Sequence, residues 1–141
     1  PIQLNYSLEN NWNILQILEH VFLTENVICR IITKPSEQIS EQPEIFGNEK
    51  IEEILLKPQS KKIIAPEFLW PKGDIKSVES FEKMFTENRD RLKQAILSGK
   101  IIIDNRIHPH PFLGAMTISD WLYLIIHHNK RHLNQIKTLM L

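Results

Sequence analysis

The chain has 141 residues, with 17 basic (Lys and Arg) and 17 acidic residues, so its formal net charge is zero. A hydrophobic content of 42% is enough for one core, and we expect residues 1–141 to form a single domain. A neutral chain without a basic stripe argues against a nucleic-acid-binding protein. No apolar run approaches the roughly 20 residues that span a bilayer, so no membrane partner is expected. The single cysteine, Cys29, excludes an internal disulfide and fits the cytoplasm.

The first half of the chain contains two predicted helices. Apolar residues at helical spacing predict a long helix from about Trp12 to Ile32, with Asn10 or Asn11 as its N-cap. A shorter pattern predicts a helix over Asn48–Leu56. The prolines between residues 58 and 73 argue against regular structure there.

The second half contains two more long helices. The first is predicted from about Ser77 to Ser98, and Gly99 is a favourable C-terminal stop. The apolar run Ile101–Ile103 is a candidate extended piece, and the alternating prolines of residues 108–111 exclude a helix. The last helix is predicted from about Thr117 to Leu139. Long helices joined by short and long connections predict an all-α helical bundle.

The last helix carries two histidines on its apolar face. Two heptad rows run along it, one with Ile118, Ile125, His132 and Leu139 and the other with Trp121, His128 and Gln135. His128 and His132 therefore project from the same face, one turn apart, where both suit one metal ion. The alternative is a pair of core histidines bonded to their neighbours. Burying two such groups is costly without a partner, which favours the metal.

Four more polar residues lie near this predicted site. His20 borders the apolar stripe of the first long helix and is the candidate third ligand, because sites in bundles form between facing helices. Gln135 is either a hydrogen-bond partner of a ligand or a cover for the end of the core. We expect His127 to face away from the core, partly exposed, and Arg131 to be solvated or ion-paired.

Several segments of the sequence resemble the DinB-like superfamily, and together they cover most of the chain. They are WNILQILEH at 12–20, APEFLWP at 65–71, HPFLGAMT at 110–117, DWL at 120–122 and HNKRHLNQI at 128–136. The resemblance implies an up-down-down-up four-helix bundle whose three histidines, here His20, His128 and His132, hold Zn, Ni or a similar divalent ion. It also implies thiol-dependent transferases and isomerases, bacillithiol transferases among them, besides metal-dependent hydrolases.

The sequence departs from the family pattern at its front. The family bundle has a long helix before the one that carries His20, whereas only residues 1–9 stand there here, starting at Pro1 and without a signal-peptide pattern. We expect a fourth helix to complete the core, from a preceding segment or from another chain, because a three-helix remnant would expose apolar surface. A homodimer is one such arrangement.

Two reactions are compatible with three protein ligands and an open coordination position. In the first, a metal-bound low-molecular-weight thiolate attacks an electrophilic small molecule. In the second, a metal-activated water hydrolyses a substrate with help from a carboxylate base. Glu19 and Glu25 are predicted on other faces of their helix, which favours the thiol transferase. His110 is a candidate for binding substrate or orienting water, or else a turn residue. A non-catalytic, stress-linked metal-binding protein is the third possibility.

Overall fold

The computed structural model describes residues 12–57 and 65–141, and most of this part is helical. Its α-helices are α1 (Ile14–Thr33), α2 (Asn48–Leu56), α3 (Val78–Leu97) and α4 (Ile118–Leu139). A 3-10 turn covers Glu67–Leu69, and a hairpin consists of β1 (Ile107–His110) and β2 (Gly114–Thr117). The predicted all-α class is confirmed. None of the helices in the described ranges is long and apolar enough to cross a membrane.

Helix α1 begins two residues later than predicted. Its N-cap is Asn13, whose Oδ1 accepts a hydrogen bond from the Gln16 backbone N–H at 2.9 Å, while the Gln16 side chain accepts one from the Asn13 N–H at 2.9 Å. This reciprocal capping box satisfies two backbone donors at once, so it fixes where the helix starts. Asn10 and Asn11, the predicted caps, lie outside the described residues.

Asp120 fixes the start of α4 and also anchors a distant loop. Thr117 and Asp120 form a second capping box. The buried Asp120 carboxylate also accepts hydrogen bonds from the backbone N–H groups of Ile45 and Gly47, both at 2.9 Å. Burial raises the pKa of Asp120, but the backbone donors outweigh this effect and hold the pKa below its ordinary value. The ionised Asp120 carboxylate therefore holds the loop before α2 against the start of α4 through hydrogen bonds.

Helices α1 and α4 pack against each other in the centre of the fold. Helix α2 packs on α4, and α3 packs on α1. The main core lies between them and includes Ile28, Ile32, Ile51, Trp121 and Ile125. A smaller apolar cluster, containing Trp12, Ile17 and Ala65, lies beside the 3-10 turn. The packing of α1 against α4 places their inward faces opposite each other, so side chains from both helices can meet at one site.

The extended structure lies later in the chain than predicted. Ile101–Ile103 forms no strand, whereas the proline-rich segment becomes β1 and pairs with β2 in antiparallel register, from Ile107 opposite Thr117 to His110 opposite Gly114. Proline excludes helix but tolerates an edge strand. Gly114 adopts φ +82°, a left-handed conformation that closes the turn and that residues with a side chain rarely adopt.

Candidate metal centre

Three histidines from two helices converge in the described structure. His20 comes from α1, and His128 and His132 come from α4. The Nε2 atom of His128 is 3.2 Å from Nε2 of His20 and 3.1 Å from Nε2 of His132. One ring nitrogen of each residue lies within 4.8 Å of the others, so the group could hold a metal ion. Two nitrogens on a tetrahedral zinc ion are about 3.3 Å apart. The spacing around His128 is close to that value.

The outer nitrogens of two of these rings are already bonded. Nδ1 of His20 is 2.9 Å from the Leu69 carbonyl oxygen, and Nδ1 of His132 is 2.8 Å from Oε1 of Gln135. Since both oxygens are acceptors, both Nδ1 atoms donate. Each neutral ring therefore carries its hydrogen on Nδ1 and presents the lone pair of Nε2 to the centre. This is the arrangement that supports histidine ligands in metal sites.

The contacts at the centre of the cluster cannot all be hydrogen bonds between the rings. His128 Nε2 carries at most one hydrogen, so it can donate to His20 or to His132 but not to both. One of the two contacts, at 3.1 or 3.2 Å, therefore has no hydrogen directed along it. A cation between the three nitrogens would accept a lone pair from each of them. The donor set therefore fits a metal ion better than it fits a set of core histidines.

A proton does not take the place of a metal ion among the three histidines, because their pKa values are all lowered. Burial lowers the pKa of His20 to about 4, although its bond to Leu69 opposes the shift. Burial, together with the charge of His20, lowers the pKa of His132 to about 3. Burial also holds the pKa of His128 well below its ordinary value, and the positive charge of Arg131 acts in the same direction on all three rings. The imidazoles are neutral at pH 7, which is the form that binds metals.

A cavity of about 670 Å³ opens beside the histidines. His20 and His128 form part of its wall, and the rest comes from α1, α2, the 3-10 turn, the hairpin and α4. Most of the described residues that line it are apolar. They include one basic side chain, Arg131, and no acidic one. Its size is within the range of small-molecule sites, which are mostly apolar with a few polar groups.

His110 lies in the cavity wall and also holds the hairpin turn. Its Nδ1 accepts hydrogen bonds from the backbone N–H groups of Phe112 at 3.1 Å and Leu113 at 3.2 Å. The neutral ring therefore carries its hydrogen on Nε2, and burial lowers its pKa. The interpretation as a turn residue agrees with these contacts, and a role in binding substrate or orienting water stays a prediction. In this tautomer the ring offers a hydrogen-bond donor rather than a base.

The two candidate carboxylates on α1 are occupied elsewhere. Glu19 is buried and accepts hydrogen bonds from the backbone N–H groups of Lys72 and Ile75. Glu25 is also buried and forms an ion pair with Arg89, at 2.6 Å. Neither residue lines the cavity. The prediction that they point away from the histidines agrees with these contacts, and their role is to fasten α1 to its neighbours.

The prediction that His127 is partly exposed is wrong. Only 1% of this residue is exposed, and its Nε2 lies 2.6 Å from Oδ1 of Asn48. The Glu52 carboxylate is 3.6 Å from its Nδ1. Helix α2 packs on this flank of α4 and covers it, so His127 is buried beside the metal centre rather than exposed. His127 is not part of the histidine cluster.

Two groups at the site were not placed there by the sequence analysis. Arg131, expected to be solvated or ion-paired, is half-buried and lines the cavity, and the expected ion pair stays a prediction. The sequence did contain a signal for the position of Arg131. It follows His128 by three residues and precedes Gln135 by four, so it shares their helix face. The Leu69 carbonyl, which orients His20, has no signal in the sequence because any residue supplies a carbonyl group.

Comparison with known proteins agrees with the resemblance seen in the sequence. The family model described as DinB superfamily matches residues 3–136. The chain is 29% identical to the uncharacterized protein YuaE of Bacillus subtilis (strain 168) over 126 residues, which cover 89% of this chain and 75% of YuaE. No solved structure matches the sequence significantly. The family match spans nearly the whole chain and includes all three clustered histidines, so the protein belongs to the DinB superfamily.

Proposed function

We propose that the protein binds one divalent metal ion, zinc or nickel, through His20, His128 and His132, and that it is a thiol-dependent S-transferase. The observation that carries the proposal is the convergence of three neutral imidazoles on one point, with two of them oriented by Leu69 and Gln135. Three protein ligands leave a position for a further ligand, as in catalytic zinc sites. The cavity gives that position access to a small molecule.

The thiol must come from outside the chain. A bound divalent ion would supply the charge that keeps a thiol deprotonated at neutral pH. Cys29 cannot serve, since burial and the Glu25 carboxylate raise its pKa to about 11 and it does not line the cavity. We therefore assign the role to a low-molecular-weight thiol. Its sulfur forms a bond to an electrophilic carbon, the leaving group departs with the bonding electrons, and the thiol proton passes to solvent.

The composition of the cavity wall supports the transferase over a hydrolase. A hydrolase needs a base near its water, and none of the described residues in the wall is a carboxylate. His110 bonds through Nδ1 to two backbone N–H groups, which leaves its Nε2–H as a donor. It suits the binding of substrate or of a departing group better than the activation of water.

The test is turnover of a halogenated nitrobenzene by the metal-loaded protein with a low-molecular-weight thiol. We expect a thioether product at a rate well above the uncatalysed one, loss of this rate in His132→Ala, and retention in His108→Ala. His108 is the matched control because its ring bonds to the Lys34 carbonyl and does not line the cavity. Metal binding without thiol-dependent turnover would favour a non-catalytic protein, and thiol-independent ester cleavage would favour a hydrolase.

Location and assembly complete the proposal. We propose that the protein is cytoplasmic. This compartment keeps low-molecular-weight thiols reduced, and it fits a protein with a single free cysteine. A homodimer, which is plausible for a small helical bundle, stays a prediction. Sedimentation of the full chain measures it: a monomer over the micromolar range would contradict it.

A further inference from the structure

We propose that the cavity binds an apolar molecule with one hydrogen-bond acceptor, such as a carbonyl or nitro group, and that the Thr24 hydroxyl donates a hydrogen bond to this acceptor. The inference rests on the proposed function only in identifying this molecule with the electrophilic substrate. It adds the chemical class of that substrate and a residue that selects it. The competing class is a purely apolar molecule, whose binding would not depend on Thr24.

The apolar body follows from the composition of the cavity wall. The wall is built mainly from aliphatic and aromatic side chains, among them Val27, Ile28, Leu55 and Leu124. Burial of apolar surface is the main source of affinity for a molecule in such a cavity, and it discriminates poorly between apolar molecules of similar size. Selectivity therefore depends on the few polar groups that line the cavity.

Thr24 supplies one of these polar groups, and its hydroxyl has no partner in the described structure. The residue lies in α1, lines the cavity and is 9% exposed. Its Oγ1 atom is buried and forms no hydrogen bond within the described part of the chain. A helical threonine can donate its hydroxyl hydrogen to a carbonyl group three or four residues earlier, as Thr33 of the same helix does to Cys29 and Arg30. Since a buried hydroxyl without a partner is costly, we infer that a molecule from outside the chain accepts its hydrogen.

The position of Thr24 places the acceptor beside the metal centre. Thr24 follows His20 by four residues, so the two side chains lie on the same face of α1. Threonine has two preferred rotamers in a helix, so rotation about its Cα–Cβ bond can turn the hydroxyl into the cavity. Among the described residues of the wall, Thr24 carries the one hydroxyl group. An acceptor bound there leaves the rest of an apolar molecule against the aliphatic side chains.

Two probes with the same apolar rings test the proposal on the full chain. Benzophenone and diphenylmethane differ only in the bridging group, which is a carbonyl in the first and a methylene in the second. Isothermal titration calorimetry gives the ratio of their affinities. Thr24→Val keeps the shape of the side chain and removes the hydroxyl. It should shift this ratio about three- to tenfold towards diphenylmethane, which is the loss expected for one neutral hydrogen bond.

Two further variants serve as matched controls. Thr24→Ser retains the hydroxyl, so it should retain the affinity ratio of the unmodified protein. Thr33→Val removes an exposed hydroxyl from the same helix, outside the cavity wall, and should leave both affinities unchanged. An unchanged ratio in Thr24→Val, or an equal shift in Thr33→Val, would overturn the proposal. Absence of binding by both probes would overturn it too.

The melting temperature of the ligand-free protein distinguishes ligand binding from a structural role of the hydroxyl. Because the hydroxyl has no partner in the described structure, Thr24→Val should leave the melting temperature unchanged or raise it. A lower melting temperature, or a variant that fails to fold, would mean that the hydroxyl bonds within the protein and would overturn the proposal.

The outcomes also separate this inference from the proposed function. A shifted affinity ratio in Thr24→Val without thiol-dependent turnover of the unmodified protein refutes the transferase and leaves the binding site intact. Turnover by the unmodified protein with an unchanged affinity ratio in Thr24→Val refutes the role of Thr24 alone.

Discussion

Replacing Gln135 by leucine should weaken metal binding without removing any ligand. Oε1 of Gln135 accepts the hydrogen of His132 Nδ1 at 2.8 Å, from one helical turn away. The bond keeps Nε2 of His132 free of hydrogen and pointing at the centre. Loss of such an outer partner costs about 10- to 100-fold in metal affinity. This corresponds to about 1.4–2.8 kcal/mol.

The assay is competition for zinc with a chromophoric chelator at pH 7.5. Asn134→Leu is the matched control, because Asn134 is exposed on the neighbouring position of the same helix. Gln135→Glu keeps an acceptor in place and adds a negative charge, so it should bind zinc at least as tightly as the unmodified protein. Unchanged affinity in Gln135→Leu, or an equal loss in the asparagine control, would refute the role of this hydrogen bond.

Three further predictions concern stability. Because the folded-state pKa values of His20 and His132 lie below the unfolded value of 6.5, the unfolded metal-free chain binds more protons, and stability should fall from pH 6.5 towards 4 by about 1.4 kcal/mol per pH unit for each histidine. Urea midpoints that stay constant from pH 7.5 to 5 would contradict this. Asp120→Asn should lower the free energy of unfolding by about 2–4 kcal/mol, since its carboxylate accepts several backbone hydrogen bonds, whereas Asp90→Asn on exposed α3 surface should change little. Urea denaturation measures both, and equal effects would be evidence against the anchor. Zinc at 100 times its Kd should stabilise the fold by about 2.7 kcal/mol. A melting temperature that does not change when zinc is added would contradict preferential binding to the folded state.

The helices could be predicted because their signals are local. Helix α2 has the predicted bounds, and the observed ends of the others differ by at most two residues from the predicted ones, because periodicity and capping act within one or two turns. The hairpin could not be placed, since proline excludes helix but does not specify which extended segments pair. The burial of His127 was missed for a related reason: it depends on α2, which lies about 79 positions away in sequence at the Asn48 contact.

The site could be predicted only in part. His128 and His132 lie on one helix, so their spacing alone places them together. His20 needed the apolar stripe of α1 and the family resemblance, because its contact with His128 joins residues 108 positions apart. The Leu69 carbonyl that orients His20 could not be found at all, since backbone groups carry no sequence identity. The cavity and the position of Arg131 in it require the packed fold.

Metal content of the purified chain tests the central claim most directly. Elemental analysis after loading with zinc and extensive dialysis should give one ion per chain for the unmodified protein and for His108→Ala, and close to none for His132→Ala. The histidine cluster accounts for this pattern, because each histidine supplies one ligand atom and the two that remain in His132→Ala bind the ion too weakly to retain it through dialysis. An unmodified protein that retains no metal, or a His132→Ala variant that retains as much as the unmodified protein, would contradict the account.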